Sequence, residues 1–474
     1  MRHTLTITEE LKAALTAAIF SALGREGAAY LVCGVSTTTG EVRLLGREVI
    51  PVKDEHYLVR EADRLSVASE SYASVAKRAR LHKEAVLFVH SHPEHYPGFS
   101  PQDDREDPKL LAFLASRAPD MPHGCLVFNT PETCRGRIWV NGEWAPLMRT
   151  RVIGRRFRFL DVTDREADAI PEFFDRQVRA FGPDVQRLLR RLHVGVVGAG
   201  GTGSAVIEQL TRLGVGTVSV FDRDTFEGTN VTRVYGSGMS QDGMPKVEIQ
   251  NEHVTRIGVG TKLLPYPTHI TDEETAKRLL ECDFVFGCTD KHAPRGILVR
   301  LVLRYLIPCI DIGVKIDSKD GIIRGIWGRV TTLLPGEACL FCRGTIDSKT
   351  IREESLPPEQ REQEIEDGYA AEIADAEPAV VMFTTAVAAQ AVSELLHRLT
   401  GFMGEERVST ETLLFFHETQ MRRNRQPAGA ECICQQRQHW GRGDSRNFLG
   451  LVWSAATKTA ATDAGGAMVD QPSV

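Results

Sequence analysis

Val194-Gly-Val-Val-Gly198-Ala-Gly200-Gly201-Thr-Gly203-Ser-Ala205 decides the fold of the second half of this 474-residue chain. An apolar run that ends in a cluster of glycines reads as a buried strand turning sharply into a helix. Gly198, Gly200, Gly201 and Gly203 let the backbone turn tightly and approach a phosphate. That phosphate would sit at the helix N-terminus, where unpaired N–H groups and the helix dipole favour an anion. The next apolar run, Thr217-Val-Ser-Val-Phe221, ends in Asp222, where a carboxylate can hold a ribose. Strands and helices alternate from His193 onward, which predicts a doubly wound parallel sheet. Taken alone, this pattern specifies a nucleotide and fits a dinucleotide dehydrogenase.

The residues that follow argue against hydride transfer. After Asp222 come Arg223-Asp224, then Asn230-Val-Thr-Arg233 and Gly243-Met-Pro-Lys246. Hydride transfer has no use for an Arg and a Lys converging on the phosphate end. ATP cleavage does, because charge develops on the leaving pyrophosphate. Downstream stand Cys288-Thr-Asp290 with Arg295, and Ile307-Pro-Cys-Ile-Asp-Ile-Gly313; upstream stands Phe174-Asp-Arg176-Gln-Val178. Singly, Arg233 or Lys246 reads as a solvated surface charge and Asp290 as a helix N-cap. In this order, over about residues 172 to 420, the set resembles the ubiquitin-activating superfamily, including its bacterial adenylyltransferases of the ThiF and MoeB type. The resemblance implies that Asp222 holds the ribose of ATP, that Asn230, Arg233 and Lys246 contact its phosphates, and that Asp290 binds Mg2+ near the α-phosphate. It also implies that Arg176 reaches into the ATP site of a second copy, hence a homodimer. The reaction would join the C-terminal glycine carboxylate of a ubiquitin-like protein to AMP as a mixed anhydride.

The cysteines depart from the family pattern. Cys339-Leu-Phe-Cys342 is paired with Cys432-Ile-Cys434, where the family often has a second Cys-x-x-Cys around structural zinc. Four thiolates can still surround zinc tetrahedrally; the alternative is two pairs of inert thiols. Conjugating members carry a thioester-forming cysteine in the crossover segment, and Gly344 to Pro378 contains none. Cys282, Cys288 and Cys309 read as core. The adenylate is therefore expected to pass to an outside acceptor, sulfur transfer included, or to a hydroxyl. Thr345, Ser348, Thr350 and Ser355 are the candidate hydroxyls, without a base beside them to activate them.

The first half has its own signature. Glu84-Ala-Val-Leu-Phe-Val89 predicts a buried strand that runs into His90-Ser91-His92, with Ser100 and Asp103 beyond. Alternate strand residues share a face, so His90 and His92 can point at one metal while Ser91 points away. Two imidazoles and the Asp103 carboxylate leave the fourth position of zinc open, the catalytic arrangement. Ser100-Pro101-Gln102-Asp103 also reads as a capping box, and both readings can hold at once. Over about residues 1 to 150 the pattern resembles the JAB/JAMM zinc metalloproteases, deubiquitinases among them. The resemblance implies that Glu26, after an amphipathic helix from about Thr8, moves a proton from water to the leaving amine. It gives the Ser100 hydroxyl a part in holding the oxyanion.

These readings divide the chain into a protease domain at 1–150, a joining segment at 151–191, an adenylation domain at 192–453 and a disordered tail at 454–474. The fold class is α/β: a JAB-like domain followed by a Rossmann-like, doubly wound one. A formal net charge of -6 gives no reason to expect nucleic acid or an anionic membrane. No apolar run approaches a membrane span, and no signal-peptide pattern opens the chain, so a cytoplasmic location is expected. The charged stretch Lys349 to Glu372, low in apolar residues, predicts a helix or a mobile crossover. Joined on one chain, the two activities suggest trimming or stripping of the modifier that is also activated, with a conjugating-enzyme homologue as partner. By resemblance such fusions belong to bacterial ubiquitination-like operons, some of them antiphage. The alternatives are a sulfur carrier made into a thiocarboxylate, and a metal-free first domain that only docks the modifier.

Overall fold

The computed structural model describes residues 1–474 apart from 23, 94, 95, 97, 161–168, 357, 358, 361–377, 405, 406, 446, 452 and 454–474. The tail and residues 361–372 of the charged stretch thus lie outside the described residues. The first sheet uses β1 (Arg2–Thr8), β2 (Ala28–Thr37), β3 (Glu41–Pro51), β6 (Ala85–Ser91), β7 (Gly124–Thr130), β8 (Thr133–Val140), β9 (Glu143–Ile153) and β10 (Arg158–Phe159). β4 (Tyr57–Arg60) and β5 (Leu65–Val67) form a separate hairpin. The helices of this half are α1 (Glu9–Ile19), α2 (Ser69–His82) and α3 (Pro101–Arg117). The sheet runs in the order β1-β3-β2-β6-β7-β8-β9-β10, and β1 also pairs with β9, so it closes on itself. Closure removes the open edges that a sheet this size would otherwise present. Leu5, Ile7, Leu31, Leu87, Leu126 and Phe128 fill one side, and Tyr30, Phe88, Leu111 and Leu114 pack α2 and α3 on the other. The predicted helix after Thr8 is α1, which Thr8 caps by accepting from Leu11 N–H.

The second half contains α4 (Asp175–Phe181), α5 (Pro183–Arg191), β11 (His193–Val197), α6 (Gly201–Arg212), β12 (Thr217–Phe221), α7 (Lys246–Ile257) and β13 (Lys262–Tyr266). There follow α8 (Glu273–Arg278), β14 (Phe284–Gly287), α9 (His292–Tyr305), β15 (Cys309–Lys319), β16 (Ile322–Leu333), α10 (Ser348–Glu354), α11 (Val381–Thr400), β17 (Glu411–Phe415) and β18 (Gln420–Asn424). The sheet order is β13-β12-β11-β14-β15-β16-β17-β18. Its first five strands are parallel, as the alternating pattern predicts, and the last three add antiparallel. Val196 and Val197 of β11, and Val220 and Phe221 of β12, point to opposite faces and are all buried, which explains the near-continuous apolar runs of these strands. α10 is a short helix, N-capped by Asp347, in the predicted crossover region.

The two halves are tied by buried charge. Arg151 Nε reaches Asp283 at 2.7 Å, Arg43 donates to the Cys282 carbonyl at 3.1 Å, and Glu41 pairs with both arginines. Burial alone would raise Asp283; Arg151 and Arg149 outweigh it and hold the carboxyl well below the usual carboxylate range. Beyond the cysteine pairs, Asp444 accepts from Thr37 N–H at 2.7 Å and from the Tyr305 hydroxyl at 3.0 Å, so the C-terminal segment straps both halves together.

Candidate functional sites

The strand β6 delivers His90 and Ser91, and His92 follows immediately. His90 Nε2 and His92 Nε2 stand 3.1 Å apart, and the Asp103 carboxyl oxygens approach them at 3.3 and 3.2 Å. Asp103 is aimed by the first turn of α3: Ser100 Oγ accepts its N–H at 3.2 Å, while its carboxyl accepts Ser100 N–H at 2.5 Å. Capping box and ligand convergence therefore coexist in one residue pair. His92 Nδ1 lies 2.7 Å from the Gly98 carbonyl, an acceptor, so Nδ1 carries the proton and Nε2 presents a lone pair. His90 Nε2, His92 Nε2 and an Asp103 oxygen thus converge on one point, and with His90 also deprotonated at Nε2 they offer a cation three lone pairs. The residues fit zinc.

Glu26 borders this cluster, 3.8 Å from His92 Nε2 and only 5% exposed. Burial pushes its carboxyl up to about 7, against the pull of His90 and His92. A carboxyl tuned toward neutrality can both take and give a proton. Ser91 points away, as alternation requires: its Oγ accepts Gly27 N–H and donates to the Ile19 carbonyl, both at 2.9 Å.

The second constellation surrounds the glycine turn. Gly198 has φ +98°, and a Cβ there would lie 2.5 Å from the Cys288 carbonyl; at Gly203 it would lie 1.9 Å from the Gly198 carbonyl. Both glycines are thus demanded by close backbone approach. Gly200 is different: φ is -75° and a Cβ would meet nothing within 4 Å. Neither packing nor backbone strain requires glycine there, so the open space is the cradle a phosphate would fill at the N-terminus of α6. Asp222 accepts from Ala199 N–H at 2.7 Å and from Asp224 N–H at 2.9 Å, and burial raises its pKa. Lys246 pairs with Asp224 at 2.9 Å, and Arg233 lies along Gly201. Asn230 is buried, and its carbonyl accepts from Arg233 N–H at 3.0 Å. Asp290 is exposed just beyond β14, its carbonyl held by Arg295 at 3.3 Å, and Arg295 in turn grips buried Asp311 at 3.1 Å. Arg176 is not brought to this set. Its helix is tied by Gln177 to the Arg212 carbonyl, at the far end of the 12-residue α6, roughly 18 Å from the glycine turn.

Cys339, Cys342, Cys432 and Cys434 form one cluster, with Sγ–Sγ separations of 3.5 Å for Cys339–Cys432 and Cys342–Cys434 and 3.9 Å for Cys339–Cys342. Tetrahedral zinc with Zn–S bonds of about 2.3 Å sets its sulfurs roughly 3.8 Å apart, so the cluster fits. Hydrogen bonding with Cys434 lowers the Cys339 thiol, and the same bond raises that of Cys434. Residues missed in the sequence include Thr384 and Thr385 at the start of α11. Thr384 packs against Gly201 and Thr385 meets the Tyr235 hydroxyl at 2.9 Å; no local pattern marks them.

A family model described as the ThiF family matches residues 174–435, and one described as prokaryotic homologs of the JAB domain matches residues 8–139. Molybdopterin-synthase adenylyltransferase of Escherichia coli (strain K12) is 32% identical over 171 residues, 36% of this chain and 66% of that protein. Ubiquitin-like modifier-activating enzyme 5 of Dictyostelium discoideum is 27% identical over 35% of this chain and 47% of its own length. Adenylyltransferase and sulfurtransferase UBA4 of Saccharomyces cerevisiae (strain YJM789) is 26% identical over 31% of each protein. The chain thus spans two thirds or less of the length of these relatives.

Proposed function

Because the chain belongs to the ThiF family and carries a JAB/JAMM-like zinc-binding module ahead of that domain, we propose that it adenylates the C-terminus of a small sulfur-carrier protein and cleaves a peptide bond at that same end. The observation that carries the sulfur reading is the state of the ten cysteines. Six lie in the core or are partly buried, and the other four form the thiol cluster. Burial pushes the thiols of Cys282, Cys288 and Cys309 up, away from reactivity. Among the described residues no thiol is left to take the acyl group as a thioester, so the mixed anhydride awaits an outside nucleophile. Relatives named for molybdopterin synthase and for sulfurtransferase favour sulfur as that nucleophile.

In this reading Asp222 holds the ribose hydroxyls, and the N–H groups at the start of α6 hold phosphate oxygens. Arg233 and Lys246 offset the charge on the leaving pyrophosphate, with Asn230 shaping that end of the pocket. Asp290 would hold Mg2+ beside the α-phosphate. A carboxylate oxygen of the carrier attacks the α-phosphorus, the bond to the bridging oxygen breaks, and pyrophosphate departs. In the first module, zinc would supply Lewis acidity. Glu26 takes a proton from water and gives it to the leaving amine. The Ser100 oxygen already accepts from Asp103 N–H, so its O–H is free to donate to the developing oxyanion. Arg176, exposed and remote from its own ATP site, would serve a second copy in a homodimer. A cytoplasmic location, where ATP is at hand, goes with this reading.

The second reading is activation and release of a ubiquitin-like modifier in a bacterial conjugation pathway, antiphage defence included, with the acyl group passing to a conjugating enzyme's thiol. The likeness to ubiquitin-like modifier-activating enzyme 5 favours it. Incubation of the chain with ATP, sulfide and a ubiquitin-fold protein ending in Gly-Gly separates the two by intact-mass spectrometry. The expected product has exchanged one oxygen for sulfur. Transfer only onto a conjugating enzyme's thiol would support the second reading, and no adenylate at all would contradict both.

A further inference from the structure

Glu26 has a well-defined place but no side-chain anchor. Among the described residues its carboxyl oxygens make no hydrogen bond, and their nearest approach to a charged partner is His92 Nε2 at 3.8 Å. The direction of the carboxyl is therefore set by the backbone that carries it, and that backbone is gripped on every side. Glu26 N–H donates to the Glu61 carbonyl at 2.8 Å, and the Gly27 carbonyl accepts from Ser91 N–H at 3.0 Å. Gly27 is wedged against α1, since a Cβ there would lie 2.3 Å from the Ile19 carbonyl. Arg60, on β4, adds a long side chain to this grip. Its Nε donates to the Glu26 carbonyl at 3.0 Å.

The Arg60 guanidinium is itself immobilised. It reaches Asp54 at 2.8 Å and Ser21 Oγ at 3.0 Å, and it lies over the Tyr57 ring at 4.3 Å. Tyr57 extends the brace, because its hydroxyl accepts from Ala28 N–H at 2.9 Å. Tyr57, Arg60 and Glu61 thus hold the peptide units of residues 26 to 28 from the β4–β5 hairpin, while Ser91 holds Gly27 from β6. No metal-ligand pattern in the sequence includes Arg60, and its charge is consumed by Asp54 rather than by the zinc cluster.

We propose that Arg60 is a positioning residue for hydrolysis, fixing the peptide unit of Glu26 so that its carboxyl faces the point where His90, His92 and Asp103 converge. This rests on the reading of Glu26 as the proton carrier. A carboxyl displaced by about 1 Å loses on the order of a hundredfold in rate without any loss of substrate affinity. The guanidinium Nε occupies the place that the amide nitrogen of a glutamine side chain would take. Arg60→Gln therefore keeps the donor to Glu26 while discarding the charge, and Arg60→Met discards both.

The test uses the full-length, zinc-loaded chain and its Arg60→Met and Arg60→Gln variants. Hydrogen exchange at the Glu26 and Gly27 amides reads the brace without any substrate. In Arg60→Met these amides are expected to exchange at least tenfold faster, with zinc stoichiometry unchanged, and Arg60→Gln is expected to restore most of the protection. Cleavage of a fluorogenic peptide ending in Gly-Gly-aminocoumarin is expected to show kcat lowered about a hundredfold in Arg60→Met, KM within twofold, and recovery in Arg60→Gln. Unchanged exchange in Arg60→Met would overturn the proposal, as would equal losses in both variants, which would indicate charge or general stability instead. If Glu26→Gln retained full cleavage while the exchange result held, Glu26 would lose its role in hydrolysis and the brace would stand as structure alone.

Discussion

The two clusters suited to zinc differ in almost every respect but the ion. His90, His92 and Asp103 come from one short stretch, offer two nitrogens and a carboxylate, and have a second acid, Glu26, beside them. Cys339, Cys342, Cys432 and Cys434 come from segments far apart in sequence and offer four sulfurs, with the other hydrogen-bonding neighbour of Cys342 Sγ a backbone N–H. Three donors leave a coordination position for water, whereas four close the shell. The first arrangement suits chemistry. The second suits holding the C-terminal strap that runs from Cys434 toward Asp444 and the first half of the chain.

The largest effect that would break this contrast belongs to the closed cluster. Cys432→Ser is expected to remove one zinc equivalent and destabilise the chain by several kcal/mol, because structural zinc binding contributes directly to folding. Metal counting with thermal unfolding checks it, and a wild-type melting curve would refute a structural role. Next in size, Asp290→Ala is expected to lower ATP–pyrophosphate exchange by about a hundredfold or more, while cleavage and both zinc equivalents persist. Loss of cleavage in the same variant would show the two centres to be coupled.

A smaller effect sharpens what makes a histidine a ligand. His123 stands beside the same sheet as His90, but both its nitrogens are served by the protein: Nδ1 accepts from Val86 N–H and Nε2 donates to the Ala118 carbonyl, each at 3.1 Å. Burial pushes its pKa down from 6.5 to about 4, so the folded state keeps it neutral while the unfolded chain protonates it. The contribution is whole above pH 6.5 and is lost as pH falls through about 4, up to about 3 kcal/mol. NMR should find the ring still neutral at a pH of about 5.5; titration near its ordinary value would contradict the burial argument.

Much of this was legible in the sequence where one local pattern carried it. The His-x-His spacing, the capping box at Ser100 and the glycine turn each impose their geometry within a few residues, and the structure places them as read. Partners distant in sequence were less legible. The union of Cys-x-x-Cys with Cys-x-Cys depended on family resemblance, because no local periodicity links them. The closure of β1 onto β9 and the burial of Asp283 between Arg149 and Arg151 left no local trace at all. Arg60 escaped notice for the same reason, as its bond is to a carbonyl and not to a side chain that a motif could display.

Anomalous scattering at the zinc absorption edge, from crystals of the full-length chain, tests the contrast most directly. The expected result is two peaks, one bounded by His90 Nε2, His92 Nε2 and an Asp103 oxygen with its fourth position open, the other enclosed by the four sulfurs. A map with no peak at the histidines, and their two Nε2 atoms sharing a proton instead, would contradict a hydrolytic centre.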